Sequence, residues 1–150
     1  QKGSFDVAYV ATLWAPEEPT AEAQKLVADA LLLGSCLKDK CRVQERVLLA
    51  TETVKKICGW KFLQRFWDIR MITHVEVPPE IFERSEKRFH GVFTKLRAME
   101  LTEYKKIVLM DVDIVVRRDI DELFDSPAPA ARMRGNHEGR GIRDGGTFFD

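Results

Sequence analysis

Short apolar segments alternate along this sequence with segments whose apolar residues recur at helical spacing. Residues 5–13, "FDVAYVATL", are rich in β-branched and aromatic side chains, which predicts a strand buried on both faces. Thr20 suits the N-cap of a helix that continues to about Lys38, with the acidic Glu22 in its first turn. The apolar stripe of this helix comprises Ala23, Leu26, Val27, Ala30, Leu31, Leu33 and Leu37.

The same alternation continues through the next part of the chain. In a helix predicted at 91–101, Val92, Leu96 and Met99 are spaced to form one apolar face. Strands that alternate with helices in this way are typical of an α/β fold with a mainly parallel sheet. The other predicted elements are a strand at 42–51, a helix at 52–67 with a break at Gly59, a strand at 68–77 and a strand at 105–111.

The composition excludes several classes of function. Lys plus Arg and Asp plus Glu number 24 each, so the chain lacks the overall basic field on which general nucleic-acid binding relies. No unbroken apolar stretch approaches the about 20 residues that span a bilayer. With 150 residues, 45% of them hydrophobic, we expect one domain over residues 1–150, with no nucleic-acid partner and no membrane segment.

Two Asp-x-Asp pairs lie close together in the sequence, and the first of them is Asp111/Asp113. This pair directly follows the apolar residues 107–110, at the carboxyl end of a strand, where open α/β sheets bind ligands. In an extended chain alternate residues point to one side, so the two carboxylates can converge on one cation. Hard oxygen ligands suit Mg²⁺ or Mn²⁺. Apolar residues follow at once, so we expect both acids to lie in a buried setting.

The second pair, Asp119/Asp121, belongs to a short predicted helix, "IDELF" at 120–124. Asp119 suits its N-cap, and Asp121 and Glu122 fall in its first turn, where carboxylates stabilise free backbone amides. The two pairs have the same spacing but different predicted tasks, which are metal binding for the first and capping for the second.

Residues 93–125, "FTKLRAMELTEYKKIVLMDVDIVVRRDIDELFD", resemble the retaining glycosyltransferases of family 8, the group that includes glycogenin and galactinol synthase. In that family a "TKL" helix, a Tyr before a strand, an Asp-x-Asp and an Ile-Asp-x-Leu-Phe turn occur in this order and spacing. The likeness extends more weakly to "YVATL" and to the "LLLGSCL" helix near the start. It therefore covers most of the chain.

The resemblance implies a GT-A type nucleotide-diphospho-sugar transferase fold, which is Rossmann-like with a mainly parallel sheet. It also implies a UDP-sugar donor, a Mn²⁺ (or Mg²⁺) ion, and retaining transfer of a hexose to a hydroxyl of a carbohydrate, polyol or protein acceptor. By position, Asp111 and Asp113 would hold the metal. The donor-binding residues would be Ala11, Thr12 and Leu13 in the uridine pocket, Arg88, Lys95, Asp111, Val112 through its backbone, and Asp113.

The sequence departs from the family after the first strand, at "LWAPEEPT". The Asn or Asp and the Tyr that help to hold uracil are missing there, and Trp14 is the candidate replacement for the stacking surface. The family's later Asn-Ala/Ser-Gly strand and its metal-binding histidine are not within these residues. We therefore expect an N-terminal, donor-binding portion of a longer protein, with catalytic residues beyond residue 150. The family is compatible with both the cytoplasm and the Golgi lumen.

Two other functions fit parts of the same sequence. Residues 107–116, "IVLMDVDIVV", also match the first motif of haloacid-dehalogenase-type phosphatases, with Asp111 as nucleophile and Asp113 as general acid/base. That motif normally stands on the first strand of its domain, whereas several strand-helix units precede it here. The non-catalytic alternative is a module that only binds a nucleotide sugar.

Overall fold

A computed structural model of the chain describes residues 6–75 and 92–131. No helix within these ranges is long and apolar enough to cross a membrane. The strands are β1 (Val7–Leu13), β2 (Arg46–Thr51), β3 (Asp68–Ile72) and β4 (Lys106–Met110). The helices are α1 (Ala21–Lys40) and the 3-10 helices η1 (Glu52–Lys56), η2 (Trp60–Arg65), η3 (Val92–Glu100) and η4 (Asp121–Asp125).

The described strands form one sheet in the order β3-β2-β1-β4, and all of its pairings are parallel. The chain adds β2 and β3 on one side of β1 and then returns to add β4 on the other side. The order in which successive strands join the sheet therefore reverses at β1. In open α/β sheets this reversal leaves a crevice for ligands outside the carboxyl ends of the strands. The arrangement confirms the predicted α/β class and its mainly parallel sheet.

Helix α1 begins at the predicted cap. The Oγ1 atom of Thr20 accepts the amide N–H of a first-turn residue at 3.1 Å, which satisfies one of the amides left free where a helix begins. Further along, the absence of a side chain at Gly34 lets the helix approach the residues that follow η2, because a Cβ there would lie 2.7 Å from the Cβ of Phe66. The indole N–H of Trp67 donates to the carbonyl of Ala30 at 2.8 Å across this contact.

Apolar side chains cover both faces of the central strands. Burial on both faces explains why the sequence of β1 is almost continuously apolar. The larger cluster joins the sheet to α1 and η2, and its fully buried members include Tyr9, Leu33, Leu37, Leu48 and Leu63. The smaller cluster joins the other face to η3 and comprises Ala8, Val10, Val47, Leu49, Ala98 and Leu101.

Helix η3 buries a different face from the one that the sequence predicts. Val92, Leu96 and Met99 are exposed, and Met99 retains 71% of its accessible surface. Thr94 and Ala98 are buried instead. Both sets of residues have helical spacing, and the small side chains let the 3-10 helix lie close to β1. The predicted position of the helix is confirmed. The predicted apolar face is wrong as the buried face, because the structure exposes it.

The segment between β2 and β3 forms two short 3-10 helices rather than one helix. The predicted break at Gly59 is confirmed, since this residue has a φ of 85° in the left-handed region that glycine adopts without strain. Strand β3 is shorter than predicted and ends at Ile72. Strand β4 is less buried than expected, because it lies at one edge of the described sheet and Leu109 is exposed.

The second acidic pair stabilises the segment around η4. Asp119 accepts the amide N–H of Asp121 at 2.9 Å, although the N-cap of η4 falls one residue later than predicted. The carboxylate of Asp121 accepts the hydroxyl of Tyr9 at 2.7 Å and the amides of Arg42 and Val43 at 2.9 and 3.1 Å. Burial and the bond to Asp121 raise the pKa of Tyr9. Both acids therefore accept backbone hydrogen bonds, and Asp121 also ties η4 to β1.

Candidate functional site

A cavity of about 200 Å³ opens at the carboxyl ends of β1 and β4. Ala11 is paired with Met110, so the residues that follow them lie side by side at this edge. The cavity therefore lies at the point where the order of the sheet reverses, the usual ligand position in such folds. Its lining residues are Thr12, Leu13, Trp14, Leu26, Lys95, Asp111, Val112 and Asp113.

Asp111 and Asp113 both line the cavity, but their backbone differs from the expectation. Strand β4 ends at Met110, and Val112 and Asp113 form a turn instead of continuing the strand. Both acids are exposed, whereas Val112 between them is 7% exposed and packs in the core. The expected extended chain and buried setting are wrong, because the chain turns at the sheet edge. The turn nevertheless leaves both carboxylates beside one cavity.

The ammonium group of Lys95 is paired with the carboxylate of Asp111 at the wall of the cavity. Lys95 is supplied by η3 and Asp111 by the residue after β4, so the pair connects two elements that are separate in sequence. Within the described ranges, the carboxylate of Asp113 accepts no hydrogen bond. One acid of the pair is thus neutralised by a cation, and the other keeps its oxygens available.

The end of β1 supplies another wall of the cavity. Thr12 and Leu13 line it, whereas Ala11 is fully buried in the strand and is not among the lining residues that the structure describes. Trp14 follows the strand, is partly buried and adds an aromatic surface. Leu26 on α1 also lines the cavity, although the sequence marked it only as part of an apolar helix face. An aromatic and aliphatic wall therefore faces the charged groups.

A further cation lies on α1, close to the charged side of the cavity. Lys25 donates to Asp29 at 2.7 Å and precedes the lining residue Leu26. The bond to Asp29 and, more weakly, the negative charge of Asp113 raise the pKa of Lys25. Cations on α1 and η3 thus accompany the two carboxylates. This combination suits a polyanionic ligand that binds together with a divalent cation.

The donor atoms at the cavity fit a hard divalent cation. Asp111 and Asp113 offer carboxylate oxygens, which Mg²⁺ and Mn²⁺ prefer. Two carboxylates leave the other coordination positions for water and for phosphate oxygens of a ligand. Because Lys95 contacts one oxygen of Asp111, a cation bound there would compete with the ammonium group for that carboxylate.

A second group of ligand-type side chains, formed by Cys41, Asp119 and Asp121, has its donor atoms within 4.8 Å of one another. The oxygens of Asp121 already accept hydrogen bonds from Tyr9 and from two backbone amides. The Nε of Arg42 lies 3.3 Å from Asp119 and 3.7 Å from Asp121. Because these donors use the carboxylate oxygens and Arg42 supplies the compensating charge, we assign this group a structural role.

Six of the eight predicted donor-binding residues line the cavity, and Ala11 lies next to it in β1. Arg88 falls outside the described ranges. Sequence reasoning did not place Leu26 at the site, because an apolar residue on a helix carries no signal that distinguishes a cavity wall from core.

The sequence of the chain is similar to those of known proteins. A sequence profile of the family described as "Glycosyl transferase family 8" matches residues 38–132. Uncharacterized protein R707 of Acanthamoeba polyphaga mimivirus is 39% identical over 108 residues, which cover 72% of this chain and 38% of that protein. Glycogenin-1 of Homo sapiens is 36% identical over 98 residues, which cover 64% of this chain and 28% of that protein.

A third relative extends the similarity over more of the chain. Inositol phosphorylceramide glucuronosyltransferase 1 of Arabidopsis thaliana is 28% identical over 131 residues, which cover 87% of this chain and 22% of that protein. The matched part of the chain spans less than half the length of each of the three relatives. The residues matched by the profile include Lys95 and both acidic pairs.

Proposed function

Because the chain belongs to glycosyl transferase family 8, we propose that it is the donor-binding part of a metal-dependent glycosyltransferase. In this proposal it takes a hexose from a UDP-sugar and passes it to a hydroxyl acceptor on a carbohydrate, polyol or protein, with retention. Residues 1–150 form one domain of that enzyme.

A single observation carries the proposal. Two carboxylates and one ammonium group, from Asp111, Asp113 and Lys95, meet at one cavity at the switch point of a parallel sheet. A nucleoside diphosphate needs such a place, because its phosphates require cationic partners and its base requires an apolar surface. The family membership and the cavity support the same class of ligand independently.

We assign the two walls of the cavity to different parts of the donor. Thr12, Leu13 and Trp14 face the uridine, and the indole ring of Trp14 provides the stacking surface for uracil. The backbone of Val112 contacts the nucleoside, and Ala11 supports this wall from within β1. Arg88 is proposed as an additional donor contact from outside the described residues.

The charged wall is assigned to the diphosphate. Asp111 and Asp113 would hold a Mn²⁺ or Mg²⁺ ion, which would supply positive charge to the phosphate oxygens when bound. Lys95 would contact the same phosphates once it is released from Asp111. When the bond between the sugar and the diphosphate breaks, negative charge grows on the departing UDP, and a fixed cation at this position stabilises it.

The two alternative functions are less well supported. In the phosphatase alternative the Asp-x-Asp motif stands on the first strand of its domain, whereas here it follows β4 at an edge of the sheet. The phosphatase alternative also gives no role to two segments, "FTKL" at 93–96 and "IDELF" at 120–124, both of which the family profile covers. The second alternative is a module that binds a nucleotide sugar without transferring it. It would differ from the proposed enzyme only in having no transferase turnover.

An assay of UDP release tests the proposal. The chain is incubated with Mn²⁺ and, separately, UDP-glucose, UDP-galactose or UDP-glucuronate, and free UDP is measured with and without EDTA. We expect slow, EDTA-sensitive release from one of these donors, because the metal and Lys95 can stabilise the departing UDP without the catalytic residues expected beyond residue 150. Phosphate release from p-nitrophenyl phosphate would instead support the phosphatase. Tight, metal-dependent UDP binding without release from any donor would favour the binding module.

The matched control for this assay is Asp39→Ala. Asp39 is an exposed carboxylate on α1, away from the lining residues of the cavity. UDP release should be unchanged in this variant and lost in Asp113→Ala. Equal loss in both variants would contradict a specific role of the acidic pair.

A further inference from the structure

Thr94, the residue before Lys95 in η3, is fully buried although its side chain is polar. Its Oγ1 lies 3.1 Å from the Nδ1 of His74 and accepts the amide N–H of Val75 at 3.3 Å. Both partners belong to the segment directly after β3. A hydroxyl without access to water needs partners of this kind, because leaving it unsatisfied is costly. The hydroxyl of Thr94 therefore attaches η3 to the end of β3.

Arg97 provides a second attachment on the same helix. Its Nη2 donates to the Oγ1 of Thr73 at 3.0 Å, and its Nε donates to the carbonyl of Thr73 at 3.3 Å. A 3-10 helix has three residues per turn, so Thr94 and Arg97 lie one turn apart on the same side of η3. Two successive turns of η3 are thus held by the segment that leaves β3.

Lys95 lies between Thr94 and Arg97 in η3, and its contact is with the opposite edge of the sheet. Its ammonium group reaches Asp111 after β4, whereas Thr94 is bonded to residues after β3. In the strand order β3-β2-β1-β4, these two strands are the opposite edges of the described sheet. Helix η3 therefore contacts the segments that follow both edge strands of the described sheet.

We infer that Thr94 is a positioning residue for Lys95, because its hydrogen bonds to His74 and Val75 fix the rotation of η3 and so hold the ammonium group at the cavity. This inference rests on the proposed function, since it assumes that Lys95 contacts the diphosphate of the donor. Thr94 itself is not among the lining residues of the cavity that the structure describes.

The apolar surface of η3 is only partly packed against the rest of the described protein. Leu96 and Met99 are 54% and 71% exposed, Phe93 is partly buried, and the buried residues Thr94 and Ala98 are small. A small rotation of the helix moves the tip of a long lysine side chain by about 1 Å, and misplacements of that size can reduce function by about 100-fold. The hydrogen bonds of Thr94 thus add a directional restraint to this partial packing.

A double-mutant cycle on UDP affinity tests this inference. The variants are Thr94→Val, which removes the hydroxyl at nearly constant volume, Thr94→Ser, which retains it, Lys95→Ala, and Thr94→Val combined with Lys95→Ala. UDP affinity in the presence of Mn²⁺ is measured by titration calorimetry, and the melting temperature of each variant is recorded. Tyr104→Phe is the control, because it removes a hydroxyl that donates to Glu45 and accepts from Arg70 near the amino ends of β4 and β2, away from the cavity.

We expect Thr94→Val to weaken UDP binding about tenfold, and Thr94→Ser to stay within about twofold of the wild type. In the Lys95→Ala background the Thr94→Val substitution should have no further effect, since there is no ammonium group left to position. Tyr104→Phe should lower the melting temperature without changing UDP affinity.

Two results would overturn the inference. The first is unchanged UDP affinity in Thr94→Val, and the second is an equal loss with and without Lys95, which would indicate a general structural role. Failure of the wild-type chain to bind UDP with Mn²⁺ is a different result, because it would refute the proposed function and the inference with it. If Thr94→Val does not fold, Thr94→Ala replaces it in the comparison. Positioning is then supported if Thr94→Ser folds and binds UDP as the wild type does, whereas Thr94→Ala folds but binds UDP more weakly.

Discussion

The ammonium group of Lys95 and the carboxylate of Asp111 form an ion pair that joins η3 to the end of β4. The same carboxylate is a proposed ligand of a divalent cation. A cation bound there would compete with Lys95 for this carboxylate, and we expect the ammonium group to be released from Asp111 when a metal binds. Changes to either residue should consequently affect metal and nucleotide binding in different ways.

Lys95→Ala is expected to have opposite effects on the two ligands. Without nucleotide, Mn²⁺ should bind about three- to tenfold more tightly, because the ammonium group no longer competes for Asp111. UDP in the presence of Mn²⁺ should bind about tenfold more weakly, because a cation beside the diphosphate is lost. Titration calorimetry measures both affinities, with the exposed Lys40→Ala as control. Weaker Mn²⁺ binding by nucleotide-free Lys95→Ala would contradict the competition.

Asp111→Ala and Asp113→Ala should each abolish Mn²⁺-dependent binding of UDP. Neither carboxylate is buried, so the folded structure should tolerate both substitutions with a change of about 1 kcal/mol or less in the free energy of unfolding. Calorimetry and urea denaturation of the same samples separate the two effects. If UDP still binds in both variants with its metal dependence intact, the assignment of the metal site is wrong.

The two acids of the second pair should differ in their contribution to stability. Asp121→Ala removes the acceptor of Tyr9 and of two backbone amides, and we expect a cost of about 2–3 kcal/mol. Asp119→Ala removes one hydrogen bond from a backbone amide N–H and an exposed ion pair with Arg42, and it should cost about 0.5–1 kcal/mol. Urea denaturation gives both values. Equal costs, or a greater loss in Asp119→Ala, would refute this ranking.

The stability of the fold should fall at alkaline pH through Tyr104. Burial, and then its hydrogen bond to Glu45, raise the pKa of Tyr104 from 10.0 to about 12. Between these values the unfolded chain loses the phenolic proton while the folded chain retains it, so the free energy of unfolding decreases as the pH rises from 10 to 12. This contribution is fully present below pH 10.

The comparison of wild type with Tyr104→Phe isolates that contribution. Urea denaturation at several pH values should give a shallower decline in the variant between pH 10 and 12, because phenylalanine has no proton to lose. Identical slopes in the two proteins would mean that Tyr104 titrates alike in the folded and unfolded chains.

Local signals in the sequence were sufficient for much of the fold. The cap at Thr20 and the break at Gly59 are both where the sequence predicts them, because each depends on the residue itself and its near neighbours. The position of Asp111 after an apolar strand likewise predicted an acid at the ligand edge of the sheet. Such features require no knowledge of what packs against them.

Other features depend on contacts between distant segments and could not be predicted. Leu96 and Met99 have the spacing of a buried face, but the sheet instead receives the small residues on the other side of η3. Asp121 resembles an ordinary first-turn acid, yet its partners Tyr9 and Val43 lie far away in sequence. Periodicity identifies a helix, whereas the choice of face and of tertiary partners is decided by shape complementarity.

The pairing of β1 with β4 also determines when the site can form during folding. Val7 is paired with Lys106, so β1 is synthesised well before its neighbour β4 exists. Until then one edge of β1 has no partner, and contacts of such long sequence separation form slowly and expose the chain to wrong pairings. Because the cavity is built from the ends of both strands, the ability to bind a ligand there should appear only after β4 has paired with β1. Ligand binding would accordingly report this pairing in a nascent chain.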